Sequence, residues 1–226
     1  MEGGEGVTIF TPSLEGMMLI QPDPAGDILT KPFLDVCKLI LPVIDKFGAS
    51  LALVKSDIGG NITRLETKHS SDPSKYSSLY TMVQEEVDGD IAKGPSSCAN
   101  GLLWLTRHTA VETFMLKALL KHNLHRAMDF LVKLFRNLLE HPDWAMAECC
   151  TDSYGKTLKK YHGWMASSAF SVAMKLAPDR KKFMEVLSGT GDVLSDMGRF
   201  CSNFSPILQE NHNYFIGVGL NNVKAA

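Results

Sequence analysis

Val54-Lys55-Ser56-Asp57-Ile58-Gly59-Gly60-Asn61-Ile62-Thr63-Arg64-Leu65 carries two stripes at helical spacing. Val54, Ile58, Ile62 and Leu65 recur every three or four residues, which predicts a helix with one buried face. At about 100° per residue, Asp57, Asn61 and Arg64 fall within about 60° of one another and form a polar stripe beside the apolar one. The polar groups therefore stand at the border between interior and solvent. Gly59 and Gly60 each cost about 1 kcal/mol of helix propensity relative to alanine, so a close approach by another element is expected there. From spacing alone the polar stripe reads first as an exposed Asp–Arg pair on an ordinary amphipathic helix.

Outward from this stretch the pattern stays helical. Phe33, Val36, Ile40 and Val43 mark a helix after Pro32, ended or bent by Pro42. The central helix itself is predicted over about 49–67, and the next over 75–88 after the turn Ser71-Asp72-Pro73. A strongly apolar helical pattern covers 99–139 and breaks at His141-Pro142-Asp143. One long helix is predicted over 152–176, stopping before Ala177-Pro178, with two more over 180–187 and 192–210. No alternating strand pair or internal repeat is visible. The fold class is all-α, with an irregular lead-in at 1–31, one domain at 32–212 and a loose tail at 213–226.

Composition narrows the function classes. The chain has 226 residues, 45% of them hydrophobic, a formal charge of -2 and a pI near 6.4. No dominant basic face for nucleic acid is expected. The acidic, glycine-rich start MEGGEGVTIF lacks the basic and apolar regions of a secretion signal, and no apolar run is long enough for a membrane span. A cytosolic setting is expected. Five cysteines without a C-x-x-C spacing read as reduced core thiols, so neither a disulfide framework nor a zinc site is expected.

Two further stretches carry side chains of interest. In Asn100-Gly101-Leu102-Leu103-Trp104-Leu105-Thr106-Arg107, Trp104 reads as core, although its flat face is also a platform for a sugar ring. In Thr157-Leu158-Lys159-Lys160-Tyr161-His162-Gly163-Trp164, His162 reads as a structural histidine, and the basic and aromatic mixture suits a membrane surface. The chain has no nucleophile elbow, zinc helix, P-loop or dinucleotide fingerprint, and no third group accompanies Asp57 and His162. A non-enzymatic role without cofactor is expected.

DIGGNITRLE at 57–66, LLWLTR at 102–107 and LKKYHGW at 158–164, in that order, closely resemble the glycolipid transfer protein family. LTKPFL, LPVIDKFGAS and KLAPDRKKFM resemble its plant branch. The resemblance implies a two-layer, all-helical sandwich that holds one glycosphingolipid, such as glucosylceramide, with its chains in an apolar tunnel. It implies headgroup binding by Asp57, Asn61, Arg64, Trp104 and His162. Asp57 would accept hydrogen bonds from sugar hydroxyls and the ceramide amide, Trp104 would stack under the first sugar, and His162 would bond the ceramide carbonyl. Arg64 stands where the family often has lysine. Phosphate-binding relatives place arginine at position 104, so Trp104 favours an uncharged sugar. Trp164, with Lys159 and Lys160, would touch the membrane transiently, and the carrier would act as a monomer. The family's C-terminal tyrosine ligand is not carried over, because this chain continues to Ala226.

Between LLWLTR and AMDFLVKLF lies a departure, His108 to Arg126, which holds three of the seven histidines. As uninterrupted helix, its 19 residues would add about 28 Å and rotate the next helical stretch by about 100°. That would carry the stripe Phe130, Leu134 and Leu138 off the core, so the segment must loop out or force repacking. Weakened or absent transfer is expected. The alternative is a transfer-deficient, lipid-sensing or protein-interaction module.

Overall fold

The computed structural model describes residues 6–20, 26–94, 96–107, 127–159 and 164–220, without the side chains at 49, 50, 53, 57, 103–107, 127, 165 and 166. The segment 108–126 and the residues Lys160 and His162 lie outside the described residues. The stretch 54–65 lies within α4, Ala52–Ser71, entered through a 3₁₀ turn, Gly48–Leu51. Its apolar stripe is buried, with Ile58 and Leu65 at 0% exposure. Before it come α1, Thr11–Met17, α2, Thr30–Leu39, and α3, Leu41–Asp45. After it come α5, Leu79–Asp88, α6, Cys98–Arg107, and α7, Ala127–Glu140. The chain ends in α8, Met146–Thr157, α9, Trp164–Met174, α10, Arg180–Ser188, and α11, Val193–Gly217. Among the described residues the extended structure is one isolated bridge, Leu29 with Ser78.

The helices close a ring of contacts: α2 on α4, α4 on α6, α6 on α7, α7 on α11, α11 on α1, and α1 back on α2. Their apolar faces meet in one interior. Phe10 packs edge-on against Phe135, centroids 5.2 Å apart, and Phe200 lies 5.8 Å from Phe135 and 5.3 Å from Phe204. Burying each such ring contributes about 2 kcal/mol. Phe130 and Leu134 are wholly buried and Leu138 is nearly so. The α7 stripe therefore faces the core, whatever path 108–126 takes.

Caps set the helix starts. Ser78 accepts from the Tyr80 N–H, Asp179 from Lys182, and Asp192 from Leu194 and Ser195, satisfying donors that have no partner within the first turn. At the C-terminal end of α7, Arg180 donates to the carbonyls of Leu138 and His141, both at 2.6 Å, and of Trp144 at 2.7 Å. One cation thus serves the negative end of the helix and the turn after it.

Three expectations are corrected. The lead-in 1–31 contains α1, because Phe10, Leu14 and Met17 reach the core, and the segment before it is tied down where the Ile9 N–H donates to the Leu187 carbonyl and the Thr190 N–H to that of Val7. The single helix over 152–176 is two. Tyr154 stacks on Phe170 with centroids 3.8 Å apart, and its hydroxyl bonds Ser167 Oγ at 3.0 Å; in one helix Tyr154 and Phe170 would stand about 24 Å apart. The tail from 213 begins inside α11, which runs through Pro206 to Gly217 because Phe215 and the later Leu220 are buried. Tyr214 there stacks on Tyr80 at 4.0 Å.

All five cysteines are free and buried. Burial pushes the Cys150 thiol up to about 12 and the Cys201 thiol up to about 11, so they stay protonated and behave as small apolar side chains.

Candidate functional site

The polar stripe of α4 faces the seam with α6. Asn61 is buried at 4% exposure beside Ile62, and Arg64, one turn on, is half-buried. Asp57 lies one turn before Asn61 on the same helix, and Trp104 lies on α6. The side chains of these two, and all of His162, are outside the described residues. The structure therefore joins Asn61 and Arg64 at the α4–α6 seam, and the backbone of Asp57 and Trp104 belongs to the same two helices.

The close approach expected at Gly59 and Gly60 is found elsewhere. Among the described residues, a methyl group at either glycine meets no atom within 4 Å. At Gly101, on α6, a methyl carbon would lie 3.1 Å from Arg64 Cδ, 3.6 Å from Nη1 and 3.8 Å from Asn61 Oδ1. Gly101 is the point where the α4 polar stripe presses on α6. Arg64 and Asn61 both come against α6 there.

Glu86, which no sequence pattern marks, fixes the start of α6. It is buried at 6% exposure, and its two carboxylate oxygens accept the N–H groups of Cys98 and Ala99, each at 2.6 Å. Ser97 Oγ accepts the Asn100 N–H at 2.9 Å and donates to the Ala92 carbonyl at 2.7 Å. A carboxylate against the positive end of a helix is favoured by the dipole and by charge-assisted bonds. Burial, and then the negative Glu86, push the neighbouring Cys98 thiol up to about 12. No spacing in the sequence announces Glu86, because its partners lie about a dozen residues away across a loop.

A surface network continues the seam beyond Arg64. Lys68 Nζ stands 4.5 Å over the Tyr76 ring and 3.3 Å from Glu85 Oε1, while Lys75 Nζ lies 2.7 Å from Glu85 Oε2. The Tyr76 hydroxyl donates to Glu85 Oε2 at 2.9 Å. The Lys75 and Tyr76 hydrogen bonds, joined by Lys68, hold the Glu85 carboxyl down to about 2.

Of the residues expected to touch a membrane, Lys159 is exposed just after α8, and Trp164, first residue of α9, is 79% exposed. Val172 and Leu176 farther along are 60% and 65% exposed. An open cavity of about 440 Å³ lies elsewhere, between α7, α8 and α11, with Lys133, Arg136, Lys156 and His212 among its lining. Neither Asn61 nor Arg64 is among its lining. Lys156 and Lys133 are engaged by Asp152 at 2.8 Å and Glu140 at 3.7 Å.

The family model for glycolipid transfer protein matches residues 28–123 and 115–189. Arabidopsis thaliana glycolipid transfer protein 1 is 58% identical over 226 residues, covering 100% of both chains. The chain belongs to the glycolipid transfer protein family. The glycolipid transfer protein fold is confirmed by solved relatives. The FAPP2 structure of that fold gives a TM-score of 0.79 at 22% identity, covering 97% of this chain and 100% of the other. Arabidopsis accelerated-cell-death 11 bound to ceramide-1-phosphate gives 0.76 at 18%, covering 96% and 98%. Solved structures that share the fold thus include one crystallised with ceramide-1-phosphate and one described as selecting simple glycosphingolipids.

Proposed function

We propose that this protein is a non-enzymatic carrier that moves glycosphingolipids, such as glucosylceramide, between membrane surfaces. The observation that carries the reading is the placement of Asn61 and Arg64 at a seam between α4 and the Trp104 helix, directly beside buried Ile58, Ile62 and Leu102. A neutral sugar needs groups that both donate and accept. Asn61 does both, Arg64 donates, and Asp57 accepts. Trp104 supplies the stacking face, and His162 completes the set at the ceramide carbonyl. The apolar interior of the helix ring takes the hydrocarbon, which in water would cost about 0.8 kcal/mol per CH₂. No bond is made or broken.

Exposed Trp164 and Val172 on α9 and Leu176 just after it, with Lys159 before it, support transient contact with a bilayer by this segment. No helix among the described residues is long and apolar enough to cross a membrane. The carrier works as a monomer from the cytosol. The burial of Phe130, Leu134 and Leu138 supports a carrier over a transfer-deficient module, since α7 keeps its register on the core.

The test is transfer of labelled glucosylceramide between vesicles. Asp57→Val and Trp104→Ala should each abolish it while leaving the helical spectrum intact. Unchanged transfer in both refutes the site.

A further inference from the structure

Gly101 sits one turn before Trp104, and residues three apart share a helix face. It is buried, and Arg64 occupies the space its side chain would fill: Cδ and Nη1 both lie against that one point, at 3.1 and 3.6 Å, with Asn61 Oδ1 at 3.8 Å. Both atoms belong to the outer part of the side chain, so the end of Arg64 lies against α6 at this point. By contrast, a methyl group at Gly59 meets nothing within 4 Å among the described residues. The glycine that matters for the headgroup groups is therefore on the opposite helix from the conspicuous pair.

We infer that Gly101 is a positioning residue, coupled to Arg64: its missing side chain is the seat that sets the height of the guanidinium, and of the Asn61 amide beside it, at the α4–α6 seam. The inference rests on the carrier function proposed above and names a residue of that same site. A guanidinium is a rigid plane whose donors keep a fixed geometry, whereas an ammonium on a flexible stem re-aims its donors freely. A lysine at 64 would meet the same point with its own Cδ but could then re-aim its ammonium, so lysine depends less on the seat at 101 than arginine does. A methyl at 101 lifts the arginine by a few tenths of an ångström. That is small for folding, because alanine also gains helix propensity, but large for hydrogen bonds to a stacked sugar.

The experiment is a double-mutant cycle in the full chain, with binding of glucosylceramide from vesicles measured for the parent, Gly101→Ala, Arg64→Lys and the double variant. Melting of each lipid-free protein is followed by circular dichroism. Gly101→Ala should weaken binding about tenfold with an unchanged melt, and in the Arg64→Lys background the same substitution should cost less than about twofold. An equal loss in both backgrounds overturns the inference, as does no loss. A lowered melt that Arg64→Lys does not repair also overturns it, since the glycine is then merely structural. A parent chain that binds no glucosylceramide overturns the carrier reading and this one together, whereas parent binding with unaffected Gly101→Ala overturns this one alone.

Discussion

At the residue scale, Gly59 and Gly101 show how unlike two helical glycines can be. Gly59 has open space where a methyl would go, so Gly59→Ala should raise stability by about 1 kcal/mol through helix propensity, read as a higher urea midpoint. A drop would mean that something packs on it. Asn61 was legible as a border residue because its neighbours Ile58 and Ile62 declared the buried face. Its near-complete burial was not legible, since that depends on Gly101 and Arg64 closing over it from α6 and α4. Glu85 has its own signature. Its carboxyl is lowered from the ordinary 4.5 to about 2, first by Lys75 and then by Tyr76. A depressed carboxylate contributes stability that is present above pH 4.5 and lost as pH falls toward 2. The melting temperatures of the parent and Glu85→Gln should therefore differ most at neutral pH and converge toward pH 2; a constant gap would show that the lysines do not hold the charge.

At the scale of elements, helix ends account for what periodicity leaves open. Glu86 holds the first two N–H groups of α6 with both oxygens, and Glu86→Ala should cost roughly 2 kcal/mol by leaving them buried without a partner. Because α6 carries Gly101 and Trp104, the same variant should also weaken glycolipid transfer; denaturant melts and vesicle transfer read the two effects separately. Arg180 holds three carbonyls around the end of α7. Arg180→Ala should destabilise by about 2 kcal/mol, and Arg180→Lys should recover only part, because one ammonium cannot reproduce the spread of a guanidinium fork. Equal stability of the lysine variant and the parent would show that charge alone is required. The α8–α9 break could not be read from the sequence, since both halves favour helix. It is imposed by Tyr154 reaching Phe170 and Ser167 across the turn.

At the scale of the molecule, the ring of helices from α2 through α4, α6, α7 and α11 to α1 makes the interior continuous. The segment 108–126 falls between α6 and α7, two consecutive members of that ring. Deleting 108–126 should raise the rate of glucosylceramide transfer, since the segment separates two motif-bearing stretches of the family pattern, and a deletion that gains neither transfer nor stability would show that the segment is accommodated without penalty. Phe130, Leu134 and Leu138 are buried with the segment present, so α7 faces the core before any such deletion.

Sequence alone determined the class of the molecule, the axis of its central helix and which α4 residues lie at the border. These rest on a 3.6-residue period that each segment carries locally. Three ordered motifs sufficed for the family. Only the tertiary structure decided where helices begin and turn, that α1 and the end of α11 belong to the core, and that the polar stripe of α4 is closed by a glycine on α6. Those features depend on contacts between residues far apart in the chain: Glu86 with Cys98, Tyr154 with Phe170, Arg64 with Gly101, Tyr80 with Tyr214. Local propensity is blind to such pairs, because their energies exist only once the ring has closed.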